Sequence, residues 1–240
     1  MDNQETGGDF LARTRMLLGD RAMGRLKGAR VAVFGLGGVG AACAEALARS
    51  GVGHLTLVDH DVVSPSNLNR QLIALRSTLG QQKADACRRR LLDINPEARI
   101  EALPVFVSEE TAGAVDFAAL DAAADCVDTL AAKLLIAKAA LLGGTYLVSC
   151  MGTGNRLDPA RFRFADVYGT AGCPLARRMR KACREAGIPA LRVLYSDEEP
   201  LPGAVHEGGR NAPGSVSFVP PVAGMLLAGD IVRRLVGRGV

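Results

Sequence analysis

The chain has 240 residues, of which 48% are hydrophobic and 22% are charged, and its formal net charge is +4. This apolar content excludes a chain that is disordered throughout, and it is enough for one large α/β domain. The mild positive charge permits a nucleic-acid partner without requiring one. Aromatic residues make up 4%, too few for a base-stacking platform of many exposed rings.

Short apolar runs alternate with helical patterns through the first 150 residues. A flexible tail at residues 1–10 and a helical pattern at residues 11–26 come first. The predicted buried strands are residues 30–34, 54–58, 100–105, a run ending at 126–127, and 145–150. The predicted helices are residues 39–50, 81–92 and 130–142. This alternation predicts a Rossmann-like, doubly wound, mostly parallel sheet in an α/β domain.

The chain changes character after residue 151 without indicating an independent second domain. Residues 161–164 alternate between polar and apolar, which is typical of a strand with one exposed face. A helix at 174–186, a strand at 191–195, a mobile polar loop at 196–213 and a closing helix at 221–236 complete the pattern. We expect these C-terminal strands and helix to extend the same sheet and domain.

The six cysteines indicate a reducing compartment, because none are spaced as Cys-x-x-Cys and three lie in apolar stretches. The tetrathiolate zinc pattern is therefore absent, and we expect no zinc site. The N-terminus is polar and acidic, unlike a secretory signal. The longest apolar stretch near the C-terminus contains two prolines and is shorter than the about 20 residues of a membrane span. We expect a soluble, cytoplasmic protein with no membrane partner.

Four glycines, Gly35, Gly37, Gly38 and Gly40, form a G-x-G-x-x-G segment between a predicted strand and a predicted helix. Such glycines let the backbone approach a phosphate, and the helix N-terminus adds free N–H groups with positive dipole character. Asp59 ends the next strand about 20 residues later, the spacing at which a carboxylate meets a ribose hydroxyl. The pattern indicates a nucleotide; a tight turn without a ligand is the alternative.

A polar, cationic cluster follows the ribose carboxylate and is unnecessary for hydride transfer. Arg70 and Lys83 can neutralise charge that develops on phosphates during displacement, and Asn67 can hydrogen-bond neutral oxygens. Singly, Arg70 would be a surface salt bridge and Lys83 a solvated helix residue. Together they indicate an enzyme that breaks a triphosphate. Asp61 and Gln71 belong to the same cluster and are further candidates for nucleotide binding.

Asp128 closes the run Asp-Cys-Val-Asp at the end of a predicted strand. Strand ends of this kind line the ligand crevice in open α/β sheets. Asp128 is therefore a candidate ligand for magnesium carried on the phosphates. A helix N-cap for the following helix is an equally open role and does not exclude the first.

The nucleotide segments resemble the adenylating domain of ubiquitin-activating and of molybdopterin- or thiamine-pathway activating enzymes, the ThiF-type family. Further segments are similar to one branch of it, the dehydratases of threonylcarbamoyladenosine in tRNA. These segments are residues 13–19, 151–159, 165–168, 173–176 and 195–200. The resemblance implies one adenylating domain at 11–240, with a nucleotide-binding core at about 28–150 and a region for substrate, tRNA and dimer contacts at about 151–240.

The resemblance also assigns roles to individual residues. Asp59 would bind the ribose, and Asn67, Arg70 and Lys83 would bind the phosphates of ATP. Asp128 would organise Mg²⁺, and a monovalent cation is a further possible cofactor. Arg13, rather than Arg15, matches an arginine that such dimers insert into the partner's site. This implies a homodimer with composite sites, in which Arg70, Lys83, Asp128 and Arg13 act in catalysis.

The implied reaction is an ATP-dependent cyclisation of threonylcarbamoyladenosine in tRNA. Transfer of AMP turns the threonyl carboxylate into a mixed anhydride, which a nitrogen or oxygen of the same modification then attacks. The ring closes, AMP leaves, and the net change is loss of water. Because intramolecular attack can reach an effective molarity of about 10⁵ M or more, no covalent enzyme nucleophile is needed. Cys173 before a helix is the one candidate thiol, and a packed structural role is the stronger interpretation for it.

Positive charge is the expected means of holding the tRNA. Residues on the predicted 174–186 helix form a basic run whose members lie mainly on one face; they are Arg177, Arg178, Arg180, Lys181 and Arg184. Such a stripe can meet backbone phosphates. A solvated helix face is an equally open interpretation of it. Residues 88–90 form a second, weaker basic spot.

Three other functions remain open from the sequence. The first is adenylation of the C-terminus of a ubiquitin-like or sulfur-carrier protein, with a cysteine desulfurase or sulfur acceptor as partner. The second is a nicotinamide-dependent oxidoreductase, although no tyrosine begins a Tyr-x-x-x-Lys pair. The third is a non-catalytic scaffold that only binds a nucleotide.

Overall fold

The computed structural model describes residues 9–207 and 210–237 and contains a seven-stranded sheet within them. Its strands are β1 (Arg30–Phe34), β2 (His54–Val58), β3 (Arg99–Leu103), β4 (Ala122–Asp125), β5 (Tyr146–Cys150), β6 (Phe162–Asp166) and β7 (Arg192–Ser196). The order is β3-β2-β1-β4-β5-β7-β6, and only the β6–β7 pair is antiparallel. The predicted doubly wound, mostly parallel sheet and its C-terminal extension are confirmed.

The helices flank this sheet. They are α1 (Ala12–Leu18), α2 (Asp20–Gly28), α3 (Gly40–Arg49), α4 (Lys83–Ile94), α5 (Leu130–Gly143), α6 (Pro174–Glu185) and α7 (Val219–Val236). The helical pattern predicted at 11–26 is confirmed, and it forms two helices. Gly19, with φ +83°, separates α1 from α2, and glycine adopts this conformation without the steric cost of a Cβ. Within the described residues, no helix combines the length and apolarity needed to cross a bilayer.

Two apolar layers enclose the sheet, one on each face. Helix α7 covers the same face as α3 and approaches it so closely that a Cβ on Gly224 would lie 2.2 Å from the carbonyl oxygen of Val39. The opposite face packs against α5 and α6. The close α3–α7 contact also sets Pro220, in the first turn of α7, against Gly38 in the glycine segment. The C-terminal helix therefore helps to shape the predicted nucleotide site.

Residues 196–213 were predicted as a mobile polar loop, and this is wrong in part. The segment contains an antiparallel hairpin of β8 (Ala204–Glu207) and β9 (Arg210–Pro213). Its two strands form a separate two-stranded sheet within the described residues. The predicted tail falls largely on residues 1–8, which lie outside the described residues.

A buried ion pair joins the carboxyl ends of β4 and β5. Lys133, on α5, and Asp125, the last residue of β4, are both fully buried, and their charged atoms are 3.1 Å apart. Lys133 also donates to the carbonyl oxygen of Cys150, at 2.6 Å. Since an unpaired charge in such a place costs several kcal/mol, these contacts hold two neighbouring strand ends in a fixed relation.

Candidate active site at the carboxyl edge of the sheet

A cleft of about 470 Å³ lies at the carboxyl edge of the sheet, where the strand order reverses between β1 and β4. This is the position at which open α/β sheets bind ligands. The cleft brings together most of the predicted nucleotide-binding residues, namely Gly35, Gly37, Gly38, Asp59, Asp61, Asn67, Arg70, Gln71, Lys83 and Asp128. Gly40 lies behind the turn, and Arg13 and the basic residues of α6 lie outside the cleft of their own chain.

The glycines of the turn differ in how much space a Cβ atom would have. Gly35 has φ +82°, and a Cβ there would lie 2.8 Å from the carbonyl oxygen of Cys126. A Cβ on Gly40 would lie only 1.7 Å from the carbonyl oxygen of Gly35. A Cβ on Gly37 would meet nothing closer than the Gln71 amide nitrogen, at 3.8 Å. Gly35 and Gly40 therefore build the turn, whereas Gly37 keeps the cleft open.

The carboxylate of Asp59 locks this turn to the end of β2. One oxygen accepts the Leu36 N–H at 2.6 Å, and the other accepts the Asp61 N–H at 2.8 Å. The side chain is buried, but each carboxylate oxygen has a second lone pair. Asp59 can therefore accept hydrogen bonds from ribose hydroxyls while it continues to hold the turn.

Lys83 enters the cleft as the first residue of α4. Its Nζ lies 2.7 Å from an Asp61 oxygen, and His60 Nε2 lies 3.2 Å from the other. Partial burial opposes ionisation of Asp61, but the hydrogen bond and charge of Lys83 outweigh it and hold the pKa of Asp61 below its usual range. Lys83 is thus a cation held in place by a carboxylate that stays ionised at neutral pH.

Arg70 is oriented by its own loop. One guanidinium nitrogen donates to the Ser66 carbonyl at 2.8 Å and to the Asn69 side-chain oxygen at 2.9 Å. Nearby, the buried Asn67 amide oxygen accepts the Ser64 N–H at 3.1 Å. Gln71 is also buried, and its Oε1 has no hydrogen-bond partner among the described residues. The loop therefore brings a fixed cation and an unsatisfied amide to one wall of the cleft.

Asp128 differs from the position predicted for it. Strand β4 ends three residues earlier, at Asp125, and the N-cap of α5 is Thr129. Asp128 is therefore neither a strand end nor the helix cap; it lies in the short connection between β4 and α5, in which the Asp125 carboxylate accepts the Val127 N–H at 3.2 Å. Within the described part of the chain, the exposed Asp128 carboxylate forms no hydrogen bond or ion pair. It is free to meet a ligand.

The two arginines near the N-terminus differ in their partners. Arg15 pairs with Asp9 at 3.1 Å and with Asp20 at 2.8 Å. Arg13 is exposed and has no such partner among residues 9–207 and 210–237. The same helix, α1, leaves Met16 87% and Leu17 72% exposed. This helix presents a free arginine beside uncovered apolar side chains.

The basic residues of α6 are not equivalent. Arg180 turns inward and donates to the Thr170 carbonyl at 2.6 Å. Arg184 lies over the Tyr168 ring at 5.5 Å, and Lys181 is 3.7 Å from Glu185. Arg177 and Arg178 are exposed. The outer charge of the helix therefore comes from both halves, from Arg177 and Arg178 and from the exposed Lys181 and Arg184, but not from Arg180.

Two weaker predictions were a second basic spot at residues 88–90 and a reactive thiol at Cys173, and the side chains concerned have structural roles. In the run at 88–90, Arg90 pairs with Glu45 at 2.6 Å and Arg88 donates to the Ile100 carbonyl. Both side chains therefore support the fold around α4. The Cys173 thiol is buried at the N-cap position of α6, as expected for a packed structural cysteine.

Several residues that line the cleft are not among the predicted site residues. Phe106 lies edge-on to His60, with ring centroids 4.9 Å apart, and it follows β3. Thr153 follows β5. Positions after strand ends lie at the carboxyl edge, so this signal was available for both. Ser215 and Pro220 also line the cleft, but they come from a distant part of the chain and carry no local signal.

Comparison with known proteins identifies relatives along almost the full length. A model of the ThiF family matches residues 11–240. The tRNA threonylcarbamoyladenosine dehydratase of Bacillus subtilis is 40% identical over 93% of this chain and 93% of its own. A sulfur carrier protein adenylyltransferase of Thermus thermophilus is 31% identical over 92% of this chain and 74% of its own. The structure of Escherichia coli tRNA N6-threonylcarbamoyladenosine dehydratase, TcdA, in complex with ATP has a TM-score of 0.88 at 26% identity, covering 99% and 98% of the chains.

The glycine turn allows substitutions that separate folding from ligand binding. We expect Gly37→Ala to fold normally and to weaken nucleotide binding by about tenfold or more, because the methyl group fills the path of a phosphate. Gly40→Ala should lower the free energy of unfolding by about 3 kcal/mol, because its Cβ collides with the Gly35 carbonyl. Thermal unfolding and titration calorimetry measure both effects. Equal behaviour of the two variants would contradict this division of roles.

Proposed function

Because the chain belongs to the ThiF family, we propose that it is an ATP-dependent adenylating enzyme that dehydrates threonylcarbamoyladenosine in tRNA to the cyclic form. The observation that carries this proposal is the near full-length match to a dehydratase of that name. The cleft supports it, since its cations and glycine turn lie together at the carboxyl edge of the sheet. A cytoplasmic location agrees with this substrate and stays a prediction.

The reaction consists of two displacements. A threonyl carboxylate oxygen attacks the α-phosphorus of ATP, the bond to the β-phosphate breaks, and pyrophosphate leaves. A nitrogen or oxygen of the same modification then attacks the activated carbonyl carbon, and AMP leaves with the former carboxylate oxygen. A five-membered ring results, and the nucleoside has lost one water. The second displacement is intramolecular, so it needs no enzyme nucleophile.

Different residues of the chain bind the phosphates, bind the ribose and neutralise charge on ATP. Gly37 and the N-terminus of α3 receive the phosphates through backbone N–H groups, and Asp59 receives the ribose. Arg70 and Lys83 neutralise the charge that grows on the phosphates as pyrophosphate departs. Lys83 is held by Asp61 and Arg70 by Asn69, so neither cation has to be ordered during the reaction.

Asp128 suits a magnesium ion that accompanies the triphosphate. It offers an exposed carboxylate, whereas Asp59 and Asp61 are engaged by backbone N–H groups and by Lys83. Oxygen ligands, few of them from protein, are what Mg²⁺ takes when it is bound with phosphates. When bound, the ion neutralises phosphate charge. A monovalent cation stays a further prediction, with no residues assigned to it.

A homodimer would complete the site with Arg13. The exposed side chains of Arg13, Met16 and Leu17 fit a helix that packs against a second copy of this chain. Arg15 is a weaker candidate, because Asp9 and Asp20 already hold it. Each site would then contain residues of both chains.

The first half of α6 suits the tRNA backbone. Arg177 and Arg178 are exposed. The start of α6 lies near the cleft, since a Cβ on Gly152, the residue before Thr153 of the cleft lining, would lie 3.9 Å from the Leu175 Cβ. Arg184 and Lys181 continue the positive surface away from the cleft. Arg180 instead holds the Thr170 segment and supports the helix position.

Adenylation of a carrier protein is the second candidate function. The relative from Thermus thermophilus that bears such a name favours it, and a cysteine desulfurase or sulfur acceptor would be the partner. The described cysteines are buried or half-buried, which does not suit a sulfur relay on the surface. ATP turnover that depends on a carrier protein rather than on modified tRNA would select this function.

The principal experiment is mass spectrometry of nucleosides from modified tRNA after incubation with the protein and ATP. We expect loss of one water from threonylcarbamoyladenosine, with formation of AMP. Arg70→Ala and Asp128→Ala should each lower the rate at least about 100-fold, whereas Arg99→Ala, at the opposite edge of the sheet, should not. Unchanged rates would remove Arg70 and Asp128 from the catalytic residues. An unchanged nucleoside with native protein would refute the proposed reaction.

Mixing two inactive variants tests whether Arg13 acts in the partner's site. Random exchange between Arg13→Ala and Arg70→Ala chains yields heterodimers in which one of two sites is intact. We therefore expect about a quarter of the native activity to return on mixing, measured as AMP formation. Arg15→Ala mixed with Arg70→Ala serves as the comparison, since Arg15→Ala alone should remain active. No recovery would place Arg13 in its own chain's site, and an Arg13→Ala variant that is active by itself would place Arg13 outside catalysis.

Charge reversal on α6 tests the tRNA surface. Arg177→Glu with Arg178→Glu should raise the KM for tRNA and reduce the slope of its salt dependence by about 2, since two phosphate contacts are lost. The dissociation constant for ATP should not change. Arg99→Glu is the matched control at the far edge of the sheet. Equal effects of both substitutions would argue for general electrostatics and against a specific surface.

A further inference from the structure

One side chain closes the neck of the β8–β9 hairpin. The neck consists of Gly203, which precedes the hairpin, and Gly214, which follows it. Asn155 Nδ2 donates to the Gly203 carbonyl at 2.7 Å, and Asn155 Oδ1 accepts the Gly214 N–H at 2.6 Å. The two ends of the hairpin are therefore joined through the amide of a residue that precedes them by 48 and 59 positions.

The backbone of Asn155 is held as firmly as its side chain. Its φ of +56° is the only positive φ of a non-glycine residue in the described ranges, and asparagine tolerates that region better than most residues. Its N–H donates to the Gly214 carbonyl and its carbonyl accepts the Leu201 N–H, both at 2.8 Å. Such an unusual conformation persists where the surroundings enforce it, and it is frequent at functional sites.

The neck forms part of the cleft wall. Gly154, Pro213 and Ser215 all line the cleft. A Cβ on Gly154 would lie 2.6 Å from the Pro213 Cβ, so the Pro213 ring packs directly against the Gly154 backbone. A change in the neck would therefore be felt at the cleft.

A chain of hydrogen bonds connects the neck to Arg70. The Ser215 carbonyl, next to Gly214, accepts Asn69 Nδ2 at 3.0 Å. The other end of that amide, Asn69 Oδ1, accepts the Arg70 guanidinium at 2.9 Å. Because an amide group is planar and rigid, fixing its NH₂ end also fixes its oxygen.

We propose that Asn155 is a positioning residue that acts on Arg70 through the hairpin neck, Ser215 and Asn69. Asn155 touches neither ATP nor the reacting atoms. It sets the position of the Ser215 carbonyl, which orients the Asn69 amide, which in turn orients the Arg70 guanidinium toward the triphosphate. The inference rests on the proposed function to the extent that Arg70 acts there on ATP.

A double-mutant cycle tests this connection. Asn155→Gly keeps the positive φ available but removes both side-chain hydrogen bonds. In the native background we expect it to lower kcat for AMP formation with modified tRNA by about tenfold to 100-fold and to weaken ATP binding. In the Arg70→Ala background it should cause no further loss of either quantity. Asn69→Ala should abolish the effect of Asn155→Gly in the same way.

Asn95→Ala is the control for a merely structural role. It removes a side-chain hydrogen bond to the Ala48 carbonyl, away from the cleft, so any loss of function it causes should be the same with and without Arg70. Thermal unfolding of all variants separates stability from positioning. Asn155→Asp keeps the acceptor for the Gly214 N–H, so it should restore part of the activity that Asn155→Gly loses.

Two results would overturn the inference. One is native-like kcat and ATP affinity in Asn155→Gly, and the other is a loss that multiplies independently with that of Arg70→Ala. If native protein does not dehydrate the tRNA, the proposed function fails. The cycle on the ATP dissociation constant still decides the inference in that case, because it requires only the nucleotide.

Discussion

The turn between β1 and α3 is the constraint on which the site depends. Gly40 has no room for a Cβ, because the Gly35 carbonyl lies where that atom would be. The chain must therefore reverse within a few residues, and α3 points its free N–H groups at the carboxyl edge of the sheet. Asp59 takes the Leu36 N–H and so binds this turn to β2. A strand end, a helix start and the Asp59 carboxylate, the proposed ribose ligand, are thereby fixed relative to one another.

A second fixed point lies at the neighbouring strand ends. Asp125 and Lys133 form a buried ion pair, and each would be an uncompensated buried charge without the other. Lys133 also donates to the Cys150 carbonyl, which connects the end of β5 to this pair. The Asp125 carboxylate also accepts the Val127 N–H. The chain therefore leaves β4 in a defined direction, which leaves the Asp128 carboxylate exposed in the cleft. A buried pair outside the cleft thus helps to determine the position of a carboxylate that lines it.

The charged groups of the molecule fall into two classes that match their proposed roles. Lys83 and Arg70 line the cleft and are held by Asp61 and Asn69 before any ligand arrives. Preorganised charge of this kind does not have to be ordered at the moment of reaction. Arg13 and Arg177 lie outside the cleft and are exposed. Such groups suit partners that arrive from outside, a second chain and a tRNA backbone, where orientation is set by docking.

The sequence by itself determined the parallel sheet, the glycine turn and the cluster from Asp59 to Lys83, because each depends on neighbours along the chain. Apolar runs with glycine after them specify buried strands, and parallel strands bring their carboxyl ends to one edge. Only the tertiary structure decided that Arg180 turns inward, that Asp128 is not a cap, that residues 204–213 contain a hairpin, and that Asn155 holds its neck. These features depend on groups far away in sequence, such as Thr170, Gly203 and Gly214, and local patterns carry no record of contacts between distant segments.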